Sequence, residues 1–193
     1  AGDGAGFRPL AGLRVVDLSQ VLAGPFATYQ LALLGAEVLK IEKPGEGDWT
    51  RNGGPDKTLG ARGMGLSFLA HNAAKKSVTL DLKAPAGLAA LRRLIASADI
   101  FVENFKPGVA DRLGLGFDAV RDLRPDIVYC SVSAFGHDGP LSPRPAYDHV
   151  IQGMCGIMLT TGRKGDGPTK VGAPYIDYAT GMNAAMAIMA GLA

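Results

Sequence analysis

One carboxylate, Asp177, stands at the start of an apolar segment of small residues, VGAPYIDYATGMNAAMAIMAGLA (171–193). As a helix N-cap, Asp177 would accept hydrogen bonds from backbone N–H groups of the first turn. If Thr180 caps the helix instead, Asp177 lies just outside it, where the helix dipole holds the carboxylate ionised. An ionised carboxylate in an apolar pocket attacks activated acyl groups without a general base and forms an anhydride. The sequence leaves both interpretations open.

Basic side chains recur near the ends of predicted strands. Lys43 follows one strand, Lys75 and Lys76 precede the next, and Lys106 and Arg112 flank the turn in ENFKPGVADR. Because α/β proteins place ligand crevices at strand ends, these charges fit a phosphate-rich ligand. From their spacing alone, solvated surface charges are the more common explanation.

Other patterns give weaker indications. The pairs His137–Asp138 and Asp148–His149 bring an acid and an imidazole together. Neighbouring residues of an extended segment point to opposite faces, so neither pair forms a site by itself. The glycine pattern GLGFDA (114–119) follows no strand, and it therefore predicts a turn and not a nucleotide site.

Short runs of β-branched and apolar residues predict buried strands. These runs are 13–19, 36–42, 76–82, 99–105 and 126–133. Helical patterns lie between them, one beginning near Pro85 and one over 25–34 that ends at Gly35. The alternation predicts an α/β fold with a Rossmann-like, mostly parallel sheet and flanking helices. The long segments 43–66 and 134–175 are candidate functional loops.

Composition and charge narrow the class of protein. The chain has 193 residues, 47% of them hydrophobic, and a net charge of +2, which suits a soluble domain and favours neither nucleic acid nor a membrane as its partner. With no membrane-spanning run and no signal peptide, a cytoplasmic location is expected. Residues 1–8 are set aside as a disordered or expression-derived tail. The spacing of Cys130 and Cys155 predicts buried thiols, neither a disulfide nor a zinc site.

Four separated motifs resemble the family III CoA-transferases, of the formyl-CoA transferase and carnitine CoA-transferase type. The motifs are PLAGLRVVDLSQVLAGPFATYQLALLGAEVLKIEKPGEGDWTR, NAAKKSVTLDLKAPAG, ENFKPGVADRLG and GAPYIDYATGMNAA. The resemblance implies that residues 9–193 are the N-terminal part of that family's large domain, with the small domain and the C-terminal part absent. The end of the chain inside an apolar helix, at Ala193, also predicts a fragment.

The resemblance further implies a reaction and a site. The family moves CoA from an acyl-CoA thioester to a carboxylic acid, without a metal, and its two chains interlock as a homodimer. Asp177 matches the nucleophile, which passes through an aspartyl anhydride and an aspartyl-CoA thioester. Lysine and arginine would hold the phosphates of CoA, and Phe105 would lie against its adenine. The positions that match the family's CoA site are Leu22, Ala23, Lys43, Lys75, Lys76, Asn104, Phe105, Lys106 and Arg112.

Two departures from the family pattern limit the choice of reaction. Leu22 stands where the oxalate-using branch carries Gln, which is evidence against a reaction of formyl-CoA with oxalate. Tyr147 stands where the α-methylacyl-CoA racemases carry His, so a racemase would lack one of its two bases. Such a racemase and a non-catalytic CoA-binding fragment remain the alternatives, and the sequence names neither acyl donor nor acceptor.

Overall fold

The computed structural model describes residues 6–193, so that residues 1–5 of the tail set aside above lie outside it. Five strands form one sheet in which every pairing is parallel, in the spatial order β3-β2-β1-β4-β5. They are β1 (Arg14–Asp17), β2 (Glu37–Glu42), β3 (Lys76–Thr79), β4 (Ile100–Glu103) and β5 (Val128–Ser131). The order reverses between β1 and β4, and open parallel sheets bind ligands beyond the carboxyl ends of the strands at such a point.

Eight helices and two short 3₁₀ turns, at Trp49–Asn52 and Ile157–Leu159, connect and follow the strands. The helices of the described residues are α1 (Ala23–Leu33), α2 (Lys57–Ala61), α3 (Leu66–Asn72), α4 (Pro85–Ala96), α5 (Val109–Arg112), α6 (Phe117–Leu123), α7 (Asp148–Met154) and α8 (Tyr175–Leu192). The α/β class with a parallel sheet and flanking helices is confirmed.

Alternation along the central strands builds two apolar cores. Val16 and Phe101 face α4 and α6, whereas Val15 and Ile100 face α1 and α8. Successive side chains of a strand point to opposite faces, so helices on both faces bury nearly every residue of β1 and β4. The two central strands, β1 and β4, are thereby fixed in position.

Several local predictions were wrong in detail. The edge strand β3 is largely exposed, because only one neighbour and few helical residues cover it. The segment 43–66, which its glycines and prolines indicated to be a loop, contains a 3₁₀ turn and α2. Cys130 is partly buried, and Cys155, at the end of α7, is exposed; neither forms a disulfide. No helix among the described residues is long and apolar enough to cross a membrane.

Candidate active site

A cavity of about 470 Å³ opens at the reversal of the strand order. Its walls come from the loops after β1, β4 and β5, from Trp49, from the segment before α7 and from the first turn of α8. The residues that line the cavity include Gln20, Val21, Leu22, Ala23, Trp49, Asn104, Phe105, Lys106, Arg144, Tyr147 and Asp177. The sheet topology thus places the candidate nucleophile beside the loops that carry the predicted CoA contacts.

Helix α8 brings Asp177 to this cavity by packing closely on α1. A Cβ atom on Gly181 would lie 2.7 Å from the carbonyl oxygen of Ala23, so only glycine permits this approach. One turn earlier, the ring of Tyr178 packs edge-on against Phe26 at 4.8 Å between centroids, and its hydroxyl lies 2.9 Å from Nε2 of His71. The first turn of α8 is therefore fixed on both sides of Asp177.

The carboxylate of Asp177 is half-buried and receives no hydrogen bond from the described residues. Burial raises its pKa from 3.8 to about 6, the neighbouring carboxylate of Asp148 adds to the rise, and His149 partly opposes it. The helix dipole favours the ionised carboxylate, whereas burial and the like charge of Asp148 favour the protonated one.

The residue that caps α8 is Asp148, which local spacing could not reveal. Its Oδ2 atom accepts hydrogen bonds from the backbone N–H groups of Ile176, at 2.8 Å, and Asp177, at 3.3 Å. Helix α8 begins at Tyr175, with Pro174 at the N-cap position. Neither Asp177 nor Thr180 is the N-cap, and Asp177 lies inside the first turn because a carboxylate from α7 satisfies its backbone.

Gln152 holds the capping carboxylate in place. Its side-chain amide donates to Oδ1 of Asp148, and its oxygen accepts from the N–H of Val171 at 2.9 Å. Both Asp148 and Gln152 are buried. One Asp–Gln pair therefore links α7, the segment before α8 and the turn that carries Asp177.

Five of the nine predicted CoA contacts line the cavity with Asp177: Leu22, Ala23, Asn104, Phe105 and Lys106. Lys106 also lines an adjoining cavity of about 280 Å³ with Ser131 and His137, whose Oγ and Nε2 atoms lie 2.8 Å apart. Arg112 lines neither cavity, but its Nη1 atom lies close to Gly108 in the wall of the second one, since a Cβ atom on Gly108 would lie 3.3 Å from it.

Three predicted lysines lie outside both cavities. Lys43 and Lys76 are exposed and pair with Glu46 at 2.7 Å and Glu37 at 2.6 Å. Lys75 is buried, with 2% of its side chain exposed. Its Nζ atom lies within 3.0 Å of four oxygens, those of the Asp17 carboxylate, the Pro25 carbonyl, the Thr28 hydroxyl and the Asn72 amide. Direct contact of these lysines with CoA remains a prediction.

Sequence reasoning missed a second group of charges beneath the cavity. Lys40 and Asp48 are buried, and their Nζ and Oδ2 atoms lie 3.0 Å apart. Lys40 also donates to the carbonyl of Ser19 at 2.7 Å. The available signal was a lysine in the middle of the buried run AEVLKIE, since a charge there requires a buried partner. Within residues 6–193, no cluster of His, Cys, Asp or Glu is placed to hold a metal ion.

Comparison with known proteins assigns the family. The sequence model described as CoA-transferase family III matches residues 10–193. The chain is 44% identical over 185 residues to mouse succinyl-CoA:glutarate CoA-transferase, covering 96% of this chain and 42% of that protein. It is 44% identical over 164 residues to acetyl-CoA:oxalate CoA-transferase of Acetobacter aceti, covering 85% and 41%.

A solved structure agrees in fold. A CAIB/BAIF family protein from Brucella suis superposes with a TM-score of 0.89 at 42% identity, over 95% of this chain and 49% of that one. The chain spans less than half the length of these relatives. By the family match and these likenesses, the chain belongs to CoA-transferase family III.

Proposed function

We propose that the protein transfers CoA from an acyl-CoA thioester to a carboxylic acid, with Asp177 as the nucleophile. The observation that carries the proposal is the half-buried Asp177 carboxylate, without a hydrogen-bond donor among the described residues, in the wall of the cavity that also holds Asn104, Phe105 and Lys106. Membership of the family supports the same reaction.

The chemistry needs only carboxylates and a thiol. An oxygen of Asp177 attacks the thioester carbonyl of the donor, which forms a mixed anhydride and releases CoA thiolate. The thiolate attacks Cγ of Asp177, which forms an aspartyl-CoA thioester and releases the donor acid. An oxygen of the acceptor acid attacks Cγ and expels the thiolate, giving a second anhydride. The thiolate attacks the acceptor's acyl carbon, which completes the new acyl-CoA and restores the Asp177 carboxylate.

The surroundings of Asp177 suit this role. With a pKa of about 6, the carboxylate is about nine-tenths ionised at pH 7. Its basicity nevertheless exceeds that of an ordinary Asp, and nucleophilicity rises with basicity. Because no donor among the described residues occupies its lone pairs, the carboxylate reacts without first breaking a hydrogen bond to one of those residues.

Coenzyme A is proposed to lie between the two cavities. Lys106 lines both of them, and Arg112 lies close to Gly108 in the wall of the second, so that a phosphate chain passing from one cavity to the other would come near both cations. Phe105 offers a ring for the adenine. Leu22 and Ala23 are proposed to contact the thiol end of CoA, since they lie in the same cavity as Asp177.

Small dicarboxylic acids are the proposed acceptors. The two curated relatives reported above are named for glutarate and oxalate, which are both dicarboxylates. Arg144 lines the cavity and has no ion-pair partner within the described part of the chain, so its guanidinium can hold the second carboxylate. Replacing Arg144 with Gln should raise the KM for glutarate at least tenfold and leave that for a monocarboxylic acid within about twofold.

Oxygen-18 tests the transfer directly. After a single turnover of the native full-length protein with acceptor acid labelled at both oxygens of the reacting carboxyl group, peptide mapping should find one oxygen-18 atom in Asp177, and after many turnovers two. Unlabelled Asp177 with an active enzyme would remove it from the mechanism. Exchange of the α-hydrogen of a 2-methylacyl-CoA with solvent deuterium, without an acceptor, would identify a racemase instead. Binding of CoA with neither reaction would indicate a non-catalytic fragment.

An interlocked homodimer and a cytoplasmic location are part of the same proposal. Both come from the family resemblance and the sequence, and both remain predictions. Sedimentation of the native protein would test the first, and fractionation of the source cells the second.

A further inference from the structure

Val21, in the wall of the cavity, has a left-handed backbone. Its φ is +72°, a conformation that is strained for a β-branched residue, because the branched side chain crowds the neighbouring carbonyl groups. Glycine would adopt this conformation without strain. A strained residue persists only where its surroundings determine its conformation, and such residues concentrate at functional sites.

The surroundings of Val21 bind its backbone from two sides. The Asn104 side chain accepts from the N–H of Gln20 at 2.9 Å and donates to the carbonyl of Gln20 at 2.8 Å. Oδ2 of Asp48 accepts from the N–H of Val21 at 3.3 Å. Lys40, paired with that carboxylate, holds the carbonyl of Ser19.

The same groups reach the far wall of the cavity. Asp48 also caps the 3₁₀ turn that begins at Trp49, by accepting from the N–H and the hydroxyl of Thr50 at 3.0 and 2.7 Å. Trp49 and the loop of Val21 both line the cavity. One carboxylate therefore fixes two walls relative to each other.

We propose that Asn104 and Asp48 are positioning residues that clamp Val21 in its strained conformation and so preform the wall of the cavity that faces Asp177. The family resemblance marks Asn104 as a CoA contact, but both ends of its amide are already bonded to Gln20. Asn104 thus acts on the ligand through the backbone of this loop. The clamp itself is inferred from hydrogen-bond geometry. Only its expected effect on CoA affinity rests on the proposed function.

A pair of substitutions separates clamping from direct contact. Asn104→Asp keeps the size of the side chain but replaces the donor to Gln20 with an oxygen that repels its carbonyl. Val21→Gly removes the strain that the clamp opposes. If the clamp acts through Val21, the loss caused by Asn104→Asp should shrink in the Val21→Gly background, which is the coupling that a double-mutant cycle measures.

Two matched controls are available in the chain. Ala74 is the other described non-glycine residue with a positive φ, at +62°, and Ala74→Gly should leave the Asn104→Asp loss unchanged. Asn183 donates to the carbonyl of Ala179 at 2.8 Å on the exposed face of α8, and Asn183→Asp should not alter the cavity.

The first readout needs no ligand. Amide hydrogen exchange at Val21 should be about tenfold faster in Asn104→Asp, which corresponds to the loss of the one hydrogen bond that Asn104 donates to the Gln20 carbonyl. The emission of Trp49, the single tryptophan of the chain, should shift as its turn loosens. If Asn104→Asp does not fold, Asn104→Ser, which is too short to reach Gln20, replaces it. Unchanged exchange and emission would overturn the clamp.

The second readout is CoA affinity, measured by calorimetry on the native full-length protein. Asn104→Asp should weaken binding of CoA about tenfold, and the double variant with Val21→Gly should lie within about threefold of Val21→Gly alone. An equal loss in both backgrounds would make Asn104 a direct contact and overturn the proposal. If the native protein binds no CoA, the proposed function fails, while exchange and emission still decide the clamp.

Discussion

Asp17 and Asp177 are two carboxylates in the same fold with opposite surroundings. Asp17, at the end of β1, lies 3.0 Å from Nζ of Lys75 and accepts hydrogen bonds from the hydroxyls of Ser19 and Thr28. Asp177 has no donor among the described residues, and the charge with the largest effect on it is the like charge of Asp148.

The pKa values of Asp17 and Asp177 shift in opposite directions, and each shift has a physical cause. Burial by itself raises the pKa of Asp17, but the ammonium groups of Lys75 and Lys40 and the two hydroxyls together bring it below its usual value. For Asp177 burial also raises the pKa, and Asp148 adds to the rise. A paired carboxylate stabilises the fold, whereas an unpaired one is available for chemistry.

Asp177→Asn should reduce CoA transfer by at least about a thousandfold, because the amide is not a nucleophile. The free energy of unfolding at pH 7 should stay the same or rise, since the substitution removes a desolvated charge that no group neutralises. Turnover assays and urea denaturation measure the two quantities. A variant that keeps wild-type turnover would contradict the assignment.

Asp17→Asn should act in the opposite way. It leaves Lys75 buried without its counter-charge, and breaking a buried ion pair costs about 3–5 kcal/mol of stability. Burial already lowers the pKa of Lys75 to about 8 with Asp17 present. Urea denaturation of Asp17→Asn and Asp177→Asn, measured side by side, tests this difference in stability. If both variants unfold at the same urea concentration, the two carboxylates do not differ in their contribution to the fold.

The pH dependence should separate the two carboxylates further. The folded pKa of Asp177 is raised, so the folded protein binds more protons than the unfolded chain between pH 3.8 and about 6. Its contribution to stability therefore falls as pH rises through that window, while turnover rises as the nucleophile ionises. For Asp17 the folded pKa is lowered, and its contribution is lost as pH falls. Carbon-13 NMR titration of both carboxyl groups measures the two midpoints.

Asp148→Asn tests the source of the high pKa. Removing the like charge should lower the midpoint of the Asp177 titration, and the misplaced amide should weaken the cap of α8 by about 1 kcal/mol. Gln152→Ala, which loosens Asp148 but keeps its charge, is the matched control and should weaken the cap without lowering the midpoint. An unchanged midpoint in Asp148→Asn would mean that burial acts alone.

Lys76→Ala should have the smallest effect. The side chain of Lys76 is 70% exposed and pairs with Glu37, and exposed pairs contribute about 0.2–1 kcal/mol. Replacing its buried neighbour Lys75 with Ala should cost several times more. Urea denaturation of both variants gives the ratio, and equal costs would remove the distinction between buried and exposed lysines in this region.

The sequence predicted what depends on local pattern. β-branched runs indicated the five strands, and the position of Lys106 at the end of a predicted strand indicated a place at the ligand crevice, where it lines the cavity. Asn104 and Phe105 were indicated only by the family resemblance. The sequence could not predict contacts between distant residues. The cap that Asp148 provides for α8 joins residues 28 and 29 positions apart, and the internal bonds of Lys75 reach up to 58 positions along the chain.

The most direct test of the central claim is a mass measurement of the Asp177 adduct. The native full-length protein, incubated with succinyl-CoA and quenched with hydroxylamine or borohydride, should yield a peptide modified at Asp177 and at no other carboxylate, including Asp17. A modified Asp177 would establish the unpaired carboxylate as the nucleophile. Turnover with an unmodified Asp177 under the same quench, or with the adduct on another residue, would contradict the account.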